Sequence, residues 1–139
     1  MNATDTSLQN FQADIDKWMT ENVPKNPGFL LPLTFLEVGT EQQLDFLRDW
    51  QHKLWSAGFL GMHWPTEYGG QGADPAYQGI VDKALGAHNA PIVFNTIGLN
   101  WTGPLLLDVG TEEDRQRYVK NILTGEEIWL SLIHISEPT

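Results

Sequence analysis

Apolar residues recur three and four positions apart in several segments of this chain, the spacing that places them on one face of an α-helix. The first such segment runs from about Thr6 to Asn22 and is followed by prolines at positions 24 and 27. Its apolar positions are Leu8, Phe11, Ile15, Trp18 and Met19. The pattern predicts an amphipathic helix, and the apolar, Pro-rich residues 24–39 that follow predict an extended strap that packs along the core.

The segment from Thr40 to Gly58 has the strongest helical pattern. Thr40 and Gln43 have the spacing of a capping box, and Gly58 stands where a left-handed C-cap is expected. One stripe is formed by Leu44, Leu47, Leu54 and Trp55, and it is widened by Phe46 and Trp50. A glycine-rich stretch around Trp64 follows and predicts a structured loop.

A third helix is predicted to begin at Pro75, with Asp74 as its N-cap, because a proline at the first helical position loses no hydrogen bond. Asn89 and Pro91 are expected to close it. Its buried face is predicted to contain Tyr77, Ile80, Val81, Ala84 and Leu85.

The remainder of the chain predicts more helices and then a change of pattern. Residues 92–109 are apolar with few charges and indicate two short helices or one broken one. Thr111 caps a last amphipathic helix that Gly125 ends, and the apolar residues between 128 and 135 predict a strand. The predicted fold class is therefore all-α, a bundle of about five to six helices over residues 1–127, with the start of a β-strand in residues 128–139.

Composition narrows the possible partners. Eighteen acidic and eight basic residues give a net charge of -10, which repels the phosphates of nucleic acids and anionic membrane surfaces. The chain has no cysteine, no basic and apolar leader, and nothing close to the roughly 20 apolar residues of a membrane span. We expect a single-domain, soluble, cytoplasmic protein with no nucleic-acid partner and no membrane span.

The residues reveal no catalytic centre. The four histidines lack the spacing of three or four residues that a helix-borne metal site requires, and no serine lies in a G-x-S-x-G elbow. The glycines of EYGGQG match neither common phosphate-binding loop and are interpreted as turn glycines. The expectation is no metal site and no catalytic residue, which leaves open a free-standing helical interaction module.

Two motifs, taken in their order along the chain, indicate a protein family. Residues 59–72 read FLGMHWPTEYGGQG after a helix that ends in glycine, and residues 103–129 read GPLLLDVGTEEDRQRYVKNILTGEEIW. The chain resembles the acyl-CoA dehydrogenase family, in which a W-P-x-E-Y-G-G-x-G loop precedes a run ending in I-L-x-G-E-x-I-W. In that family the run leads into a middle β-domain, and nearly all of residues 40–129 follow the pattern.

The resemblance implies the first of three domains, helical, β-barrel and helical, with FAD between the last two and the subunits assembled as homo-oligomers. The implied reaction is α,β-desaturation of an acyl-CoA thioester: a carboxylate removes the proton beside the carbonyl while flavin accepts a hydride. An electron acceptor then reoxidises the flavin. Because the resemblance places the base and the flavin cleft beyond this chain, the fragment is expected to be inactive and to bind no FAD. It is expected to supply subunit contacts and one wall of the acyl cavity, formed by Asn95, Thr96, Leu99, Asn100 and Trp101.

The chain departs from the family pattern after Trp129. In the family a Ser or Thr before Glu-Pro approaches the flavin, and by resemblance this cofactor-binding residue is Ser136. Two extra residues separate Trp129 from Ser136, and SLIHISEPT resembles a translated sequencing-adaptor fragment. Residues 128–139 are thus expected to be either the start of the middle β-domain or an artefactual tail. A β-domain encoded downstream would indicate the enzyme, whereas an authentic stop would indicate the interaction module.

Overall fold

The computed structural model describes residues 4–25 and 27–129, and within them every regular element is helical. The α-helices are α1 (Asp5–Asn22), α2 (Glu41–Ser56), α3 (Pro75–Ala87), α4 (Gly103–Val109), α5 (Glu112–Asp114) and α6 (Lys120–Thr124). Two π-helical segments, Gly98–Thr102 and Arg115–Val119, precede α4 and join α5 to α6, and short 3-10 turns occur at Phe35–Glu37 and Thr66–Tyr68. The predicted all-α fold is confirmed. Of the predicted strand only residues 128 and 129 are described, and its remainder lies outside the described residues.

The helices begin where the capping residues predicted them. The Thr40 hydroxyl accepts a hydrogen bond from the Gln43 amide at 3.1 Å, and the Gln43 side chain accepts one from the Thr40 amide at 3.2 Å. Asp74 caps α3 through the amide of Ala76 at 2.9 Å. Thr111 caps α5 by accepting a hydrogen bond from the amide of residue 114. Each cap satisfies an amide that has no partner inside its helix.

The core is formed mainly by the predicted apolar faces. α1 packs against α3, and α2 packs against α6. The fully buried positions include Ile15 and Met19 of α1, Leu47 and Leu54 of α2, and Val81 of α3. Further buried residues come from the loop and from the last helices: Leu60, Met62, Trp64, Tyr68, Val119, Ile122 and Leu123.

Aromatic contacts hold α1 on the rest of the domain. The Trp18 ring stacks on Trp50 with a centroid distance of 5.9 Å and meets Phe59 edge-on at 5.0 Å. Phe11 meets the rings of Phe59 and Tyr77 in the same edge-on manner. Offset and edge-on pairs of this kind add to the free energy gained by burying the rings themselves.

The segment predicted as a strap lies on the surface. Phe29 contacts the ring of Phe46 at 5.6 Å, and the Gln43 side chain donates to the carbonyl of Leu30 at 2.9 Å. Three leucines of the strap, Leu30, Leu33 and Leu36, nevertheless expose most of their surface. Within the described residues, no helix combines the length and the apolar character needed to cross a bilayer.

Candidate functional site

A groove of about 310 Å³ lies between the glycine-rich loop, α3 and the residues that lead into and form the first π-helical turn. Its lining is mixed. The apolar side chains are Leu60, Trp64, Leu85, Val93 and Leu99, and the polar ones are His63, Gln78, Asp82, Thr96 and Asn100. A concave apolar surface with a few polar groups is typical of a small-molecule site.

Gln78 of α3 holds the loop side of the groove. Its side-chain oxygen accepts a hydrogen bond from the Met62 amide at 3.0 Å, and its side-chain nitrogen donates to the Phe59 carbonyl at 3.2 Å. The same nitrogen also lies 3.2 Å from a carboxylate oxygen of Asp82. Both groove-facing polar groups of α3 are thereby oriented, and the loop is fixed at a set distance from the helix.

Trp64 forms the inner wall, and its position depends on a close approach to Gly103. The Trp64 side chain is buried, and a Cβ on Gly103 would lie 2.2 Å from its ring carbon Cη2. The indole therefore occupies space that any side chain at position 103 would need. The loop is also closed behind Trp64 by hydrogen bonds from the Gly72 amide to the Trp64 carbonyl and from the Ala73 amide to the Met62 carbonyl, both 2.8 Å.

The opposite wall begins just before an irregular turn. Pro104 has no amide proton, so it cannot donate to the carbonyl four residues earlier, and such a loss is commonly absorbed by a wider helical turn. The structure shows this turn as the π-helical segment Gly98–Thr102, closed by a hydrogen bond from the Gly103 amide to the Gly98 carbonyl. The broken helix predicted for residues 92–109 takes this form.

The structure places the five residues assigned by resemblance to the acyl cavity in three different environments. Thr96, Leu99 and Asn100 line the groove. Asn95 is fully buried beneath it and is engaged in hydrogen bonds, whereas the Trp101 side chain points away from the core and is 71% exposed. Ser136, the residue assigned to flavin, lies outside the described residues.

No other groove residue was assigned to the site from the sequence, although Leu85 and Trp64 carried some indication that they are buried. Leu85 belongs to the predicted buried face of α3, and Trp64 is surrounded by the glycines that predicted a structured loop. His63, Gln78 and Asp82 carried none, because a polar residue in a loop or on a helix surface is ordinarily solvated. Only the approach of the loop to α3 brings these three side chains to one groove.

A hydrogen-bonded pair connects the glycine-rich loop to α5. The Tyr68 hydroxyl donates to a carboxylate oxygen of Glu112 at 2.6 Å. This bond raises the pKa of Tyr68, with a smaller contribution from burial, and it lowers the pKa of Glu112, to which Gln116 also donates. Arg115 lies near the pair, with its Nη1 atom 3.8 Å from the Glu112 carboxylate. The pair stabilises the loop that forms one side of the groove.

The groove does not fit a flavin dinucleotide. A site for FAD needs donors for the pyrophosphate, such as a helix N-terminus, arginine or lysine. None of the groove residues is an arginine or a lysine, and the groove contains the carboxylate of Asp82. This groove therefore offers a surface for an apolar group with a few polar substituents and not for a flavin dinucleotide.

Comparison with known proteins identifies the family. Residues 33–126 match the model of the acyl-CoA dehydrogenase N-terminal domain. Among curated proteins, the acyl-CoA dehydrogenase IpdE1 of Mycolicibacterium smegmatis is 30% identical over 123 residues, covering 88% of this chain and 31% of that protein. The acyl-CoA dehydrogenase FadE34 of Mycobacterium tuberculosis is 39% identical over 88 residues, covering 63% of this chain and 12% of its own length.

Solved structures agree with this assignment. One described as "Tcur3481-Tcur3483 steroid ACAD" superposes with a TM-score of 0.67 at 28% identity, covering 92% of this chain and 32% of the other. The ChsE4-ChsE5 complex from Mycobacterium tuberculosis shares the fold, with a TM-score of 0.65 at 20% identity over 91% of this chain and 29% of that chain. This chain belongs to the acyl-CoA dehydrogenase family and corresponds to its N-terminal domain. It spans about a third of the length of IpdE1 and of the solved relatives.

Proposed function

We propose that this chain supplies one wall of the acyl-binding site of a flavin-dependent acyl-CoA dehydrogenase that catalyses α,β-desaturation. The observation that carries the proposal is the groove, where Thr96, Leu99 and Asn100 face the loop around Trp64. FAD and the catalytic base are then contributed by the other domains of the parent enzyme. The role of the chain is to bind and orient the acyl group, and the isolated chain has no activity.

The lining of the groove suits the acyl portion of a thioester better than its nucleotide. Leu60, Trp64 and Leu99 offer an apolar surface, and burying an acyl chain against them gains about 25 cal/mol for each Å² of apolar area removed from water. The adenosine phosphates of coenzyme A carry negative charge, which Asp82 disfavours. The acyl group, rather than the coenzyme, is therefore the portion proposed to enter.

A steroid-type acyl group is the proposed substrate class. The solved relatives at 27% and 28% identity are both described as a steroid ACAD. A ring system with oxygen substituents matches a groove whose apolar floor is bordered by His63, Asp82 and Asn100, since each of these can form a hydrogen bond with a hydroxyl or carbonyl group. A plain alkyl chain would offer His63 and Asn100 no hydrogen bond in place of the water that it displaced.

Subunit assembly is part of the proposal. One solved relative is a complex of two named chains, and another carries two names in its description. Trp101, Leu105 and Val109 follow one another at four-residue spacing and are 71%, 59% and 70% exposed. We assign this apolar face to contacts with other parts of the enzyme.

The second candidate function is a helical interaction module that retains the fold without the chemistry. The same exposed face of Trp101, Leu105 and Val109 favours it, because contiguous exposed apolar side chains commonly mark a protein contact. The downstream reading frame distinguishes the two functions. A frame that continues into a β-domain supports the enzyme, and an authentic stop supports the module.

The groove assignment is tested by titrating the ¹⁵N-labelled chain with cholate, a soluble steroid carboxylate, below its micelle concentration. We expect saturable shifts at the amides of Thr96, Leu99 and Asn100. Asn100→Trp fills this groove and should weaken binding at least about tenfold, a loss of roughly 1.4 kcal/mol.

The control is Ala87→Trp, which fills a separate groove of about 260 Å³ between α1 and α3. This variant should leave the affinity within about twofold, which corresponds to less than half a kcal/mol. Absence of a saturable shift at the three groove amides, or equal losses in both variants, would contradict the assignment of this groove to the acyl group.

A further inference from the structure

Asn95 lies fully buried between the groove wall and the segment by which the chain leaves the helical domain. Its side-chain nitrogen donates to the carbonyls of Ile122 at 2.9 Å and of Glu127 at 2.8 Å. Its side-chain oxygen accepts a hydrogen bond from the Trp129 amide at 2.9 Å. An asparagine side chain has two N–H donors and one carbonyl oxygen, so both donors and the acceptor are engaged.

The main chain of Asn95 belongs to the groove wall. Its carbonyl accepts a hydrogen bond from the Leu99 amide at 2.9 Å, the first bond of the turn that carries Thr96, Leu99 and Asn100. The side chain fits closely beneath that turn, since a Cβ on Gly98 would lie 2.7 Å from Oδ1 of Asn95. One residue thus joins the turn above it to the exit segment below it.

Two polar side chains of α2 support the end of α6 and the exit segment, which comprises residues 125–129. The Gln51 side chain donates to the carbonyls of residues 122 and 123 at 2.8 and 3.0 Å, and its oxygen accepts from the Asn95 amide at 3.4 Å. Arg48 donates from Nε to the carbonyl of Gly125 at 3.0 Å and from Nη2 to that of Glu126 at 2.8 Å. Side chains therefore satisfy the carbonyls that the end of α6 leaves open.

We propose that Asn95 is a positioning residue that couples the groove wall to the exit segment. Moving the exit segment removes the support beneath Thr96 and Leu99, and disordering the groove wall releases the Trp129 amide. The asparagine amide is required for this role because a carboxylate at the same position would face two carbonyl oxygens. The coupling concerns only contacts within this chain, and it rests on the proposed function only in regarding the groove as a substrate site.

Hydrogen exchange of the labelled 139-residue chain, measured by NMR, tests the coupling without any ligand. In Asn95→Ala the Leu99 amide keeps its direct acceptor, the main-chain carbonyl of residue 95. The coupling predicts that exchange nevertheless increases at Leu99 as well as at Trp129, by at least about fivefold, the effect of losing roughly one net hydrogen bond. The amide of Val81, in the core of α3, reports global unfolding, and its exchange rate should increase less than that of Leu99.

A matched control is Asn121→Ala. The Asn121 side chain also contacts the exit segment, by donating to the Glu127 carboxylate at 3.4 Å, and it lies outside the groove lining. Its removal should leave the Leu99 exchange rate within about twofold. Parallel increases at Leu99 and Val81 in Asn95→Ala would indicate general destabilisation and would overturn the coupling.

A second pair of variants tests the reverse direction and remains informative if Asn95→Ala fails to fold. Trp129→Pro removes the amide that donates to Asn95, while Trp129→Phe keeps the amide and an aromatic ring against Tyr118. Because coupling between two sites is reciprocal, Trp129→Pro should raise exchange at Leu99 at least about fivefold and Trp129→Phe should not. An unchanged Leu99 rate in Trp129→Pro would refute the proposal, and neither result depends on what the groove binds.

Discussion

Replacement of Gly103 by alanine tests whether Trp64 is held as the structure shows. An added Cβ would lie 2.2 Å from Cη2 and 2.9 Å from Cζ2 of the Trp64 ring, and 3.0 Å from the carbonyl oxygen of Gly98. The ring is only 3% exposed and has little room to move aside. Overpacking of this kind costs about 1–3 kcal/mol.

Two further effects of Gly103→Ala change the free energy of unfolding in opposite directions. Gly103 has helical dihedral angles, with φ at -60° and ψ at -53°, so alanine would gain about 0.5–1 kcal/mol of helix propensity. The residue also precedes Pro104, and a Cβ before proline disfavours the helical conformation. We expect the clash and the proline effect to exceed the propensity gain, with a net loss of about 1–2 kcal/mol in the free energy of unfolding.

The measurement is urea unfolding followed by circular dichroism, with Gly79→Ala as the matched control. Gly79 lies inside α3, and a Cβ there meets nothing within 4 Å. This control should stabilise the chain by about 0.4–1 kcal/mol through backbone entropy and helix propensity alone. If Gly103→Ala proved as stable as Gly79→Ala, Trp64 would not be wedged against position 103 and the inner wall of the groove would be misplaced.

Three further predictions follow from burial, charge and exposure. Leu47→Ala removes a fully buried side chain and should cost about 2–5 kcal/mol in urea unfolding, whereas Leu105→Ala on the exposed face should change stability by less than about 0.5 kcal/mol. Tyr68→Phe should destabilise the chain at neutral pH. The pKa of Glu112 is lower in the folded chain, so its hydrogen bond with Tyr68 stabilises the fold above the ordinary carboxyl pKa of 4.5, and this stabilisation is lost as the pH falls through the folded-state pKa. The difference in unfolding free energy between Tyr68→Phe and the parent chain should therefore shrink in acid. A difference that stayed constant with pH would contradict this pairing. The exposed apolar side chains should cause self-association in sedimentation velocity, and Trp101→Ser should reduce it; a clean monomer at all concentrations would count against an unpartnered apolar face.

The sequence predicted the helices well because their ends are determined locally. Thr40 and Asp74 cap α2 and α3, and Gly58 and Gly125 adopt the left-handed conformation that ends a helix, with φ of +87° and +86°. A capping side chain, a proline or a glycine acts within three or four residues, so these choices need no knowledge of the tertiary structure. The exposure of the strap's leucines could not be predicted in this way, because it depends on which distant residues pack over them.

Gln51 shows what the apolar pattern missed, although the signal was present. It lies four residues after Leu47 and three before Leu54, so the helical period places it on the buried face of α2. A polar side chain at such a position must have a partner, because an unsatisfied buried amide costs about 1–3 kcal/mol. The sequence thus predicts that Gln51 is engaged, but its partners on α6 and at residue 95 are about 40 to 70 residues away and can be assigned only from the fold.

The five residues assigned by resemblance to the acyl cavity are divided between groove, interior and surface, and this division begins with a break in the helix. An uninterrupted α-helix would assign faces to residues 95–101 by its regular period, but Pro104 withdraws one amide and the turn before it widens to the π form. Within this turn Asn100 faces the groove, whereas Trp101 is exposed, as are Leu105 and Val109 after it. The Gly103-Pro104 pair predicted a break in the helix, but such a break can be a kink, a cap or a π turn. The Trp64 ring occupies the space beside Gly103, so a loop about forty residues earlier in the chain packs directly against the helix break.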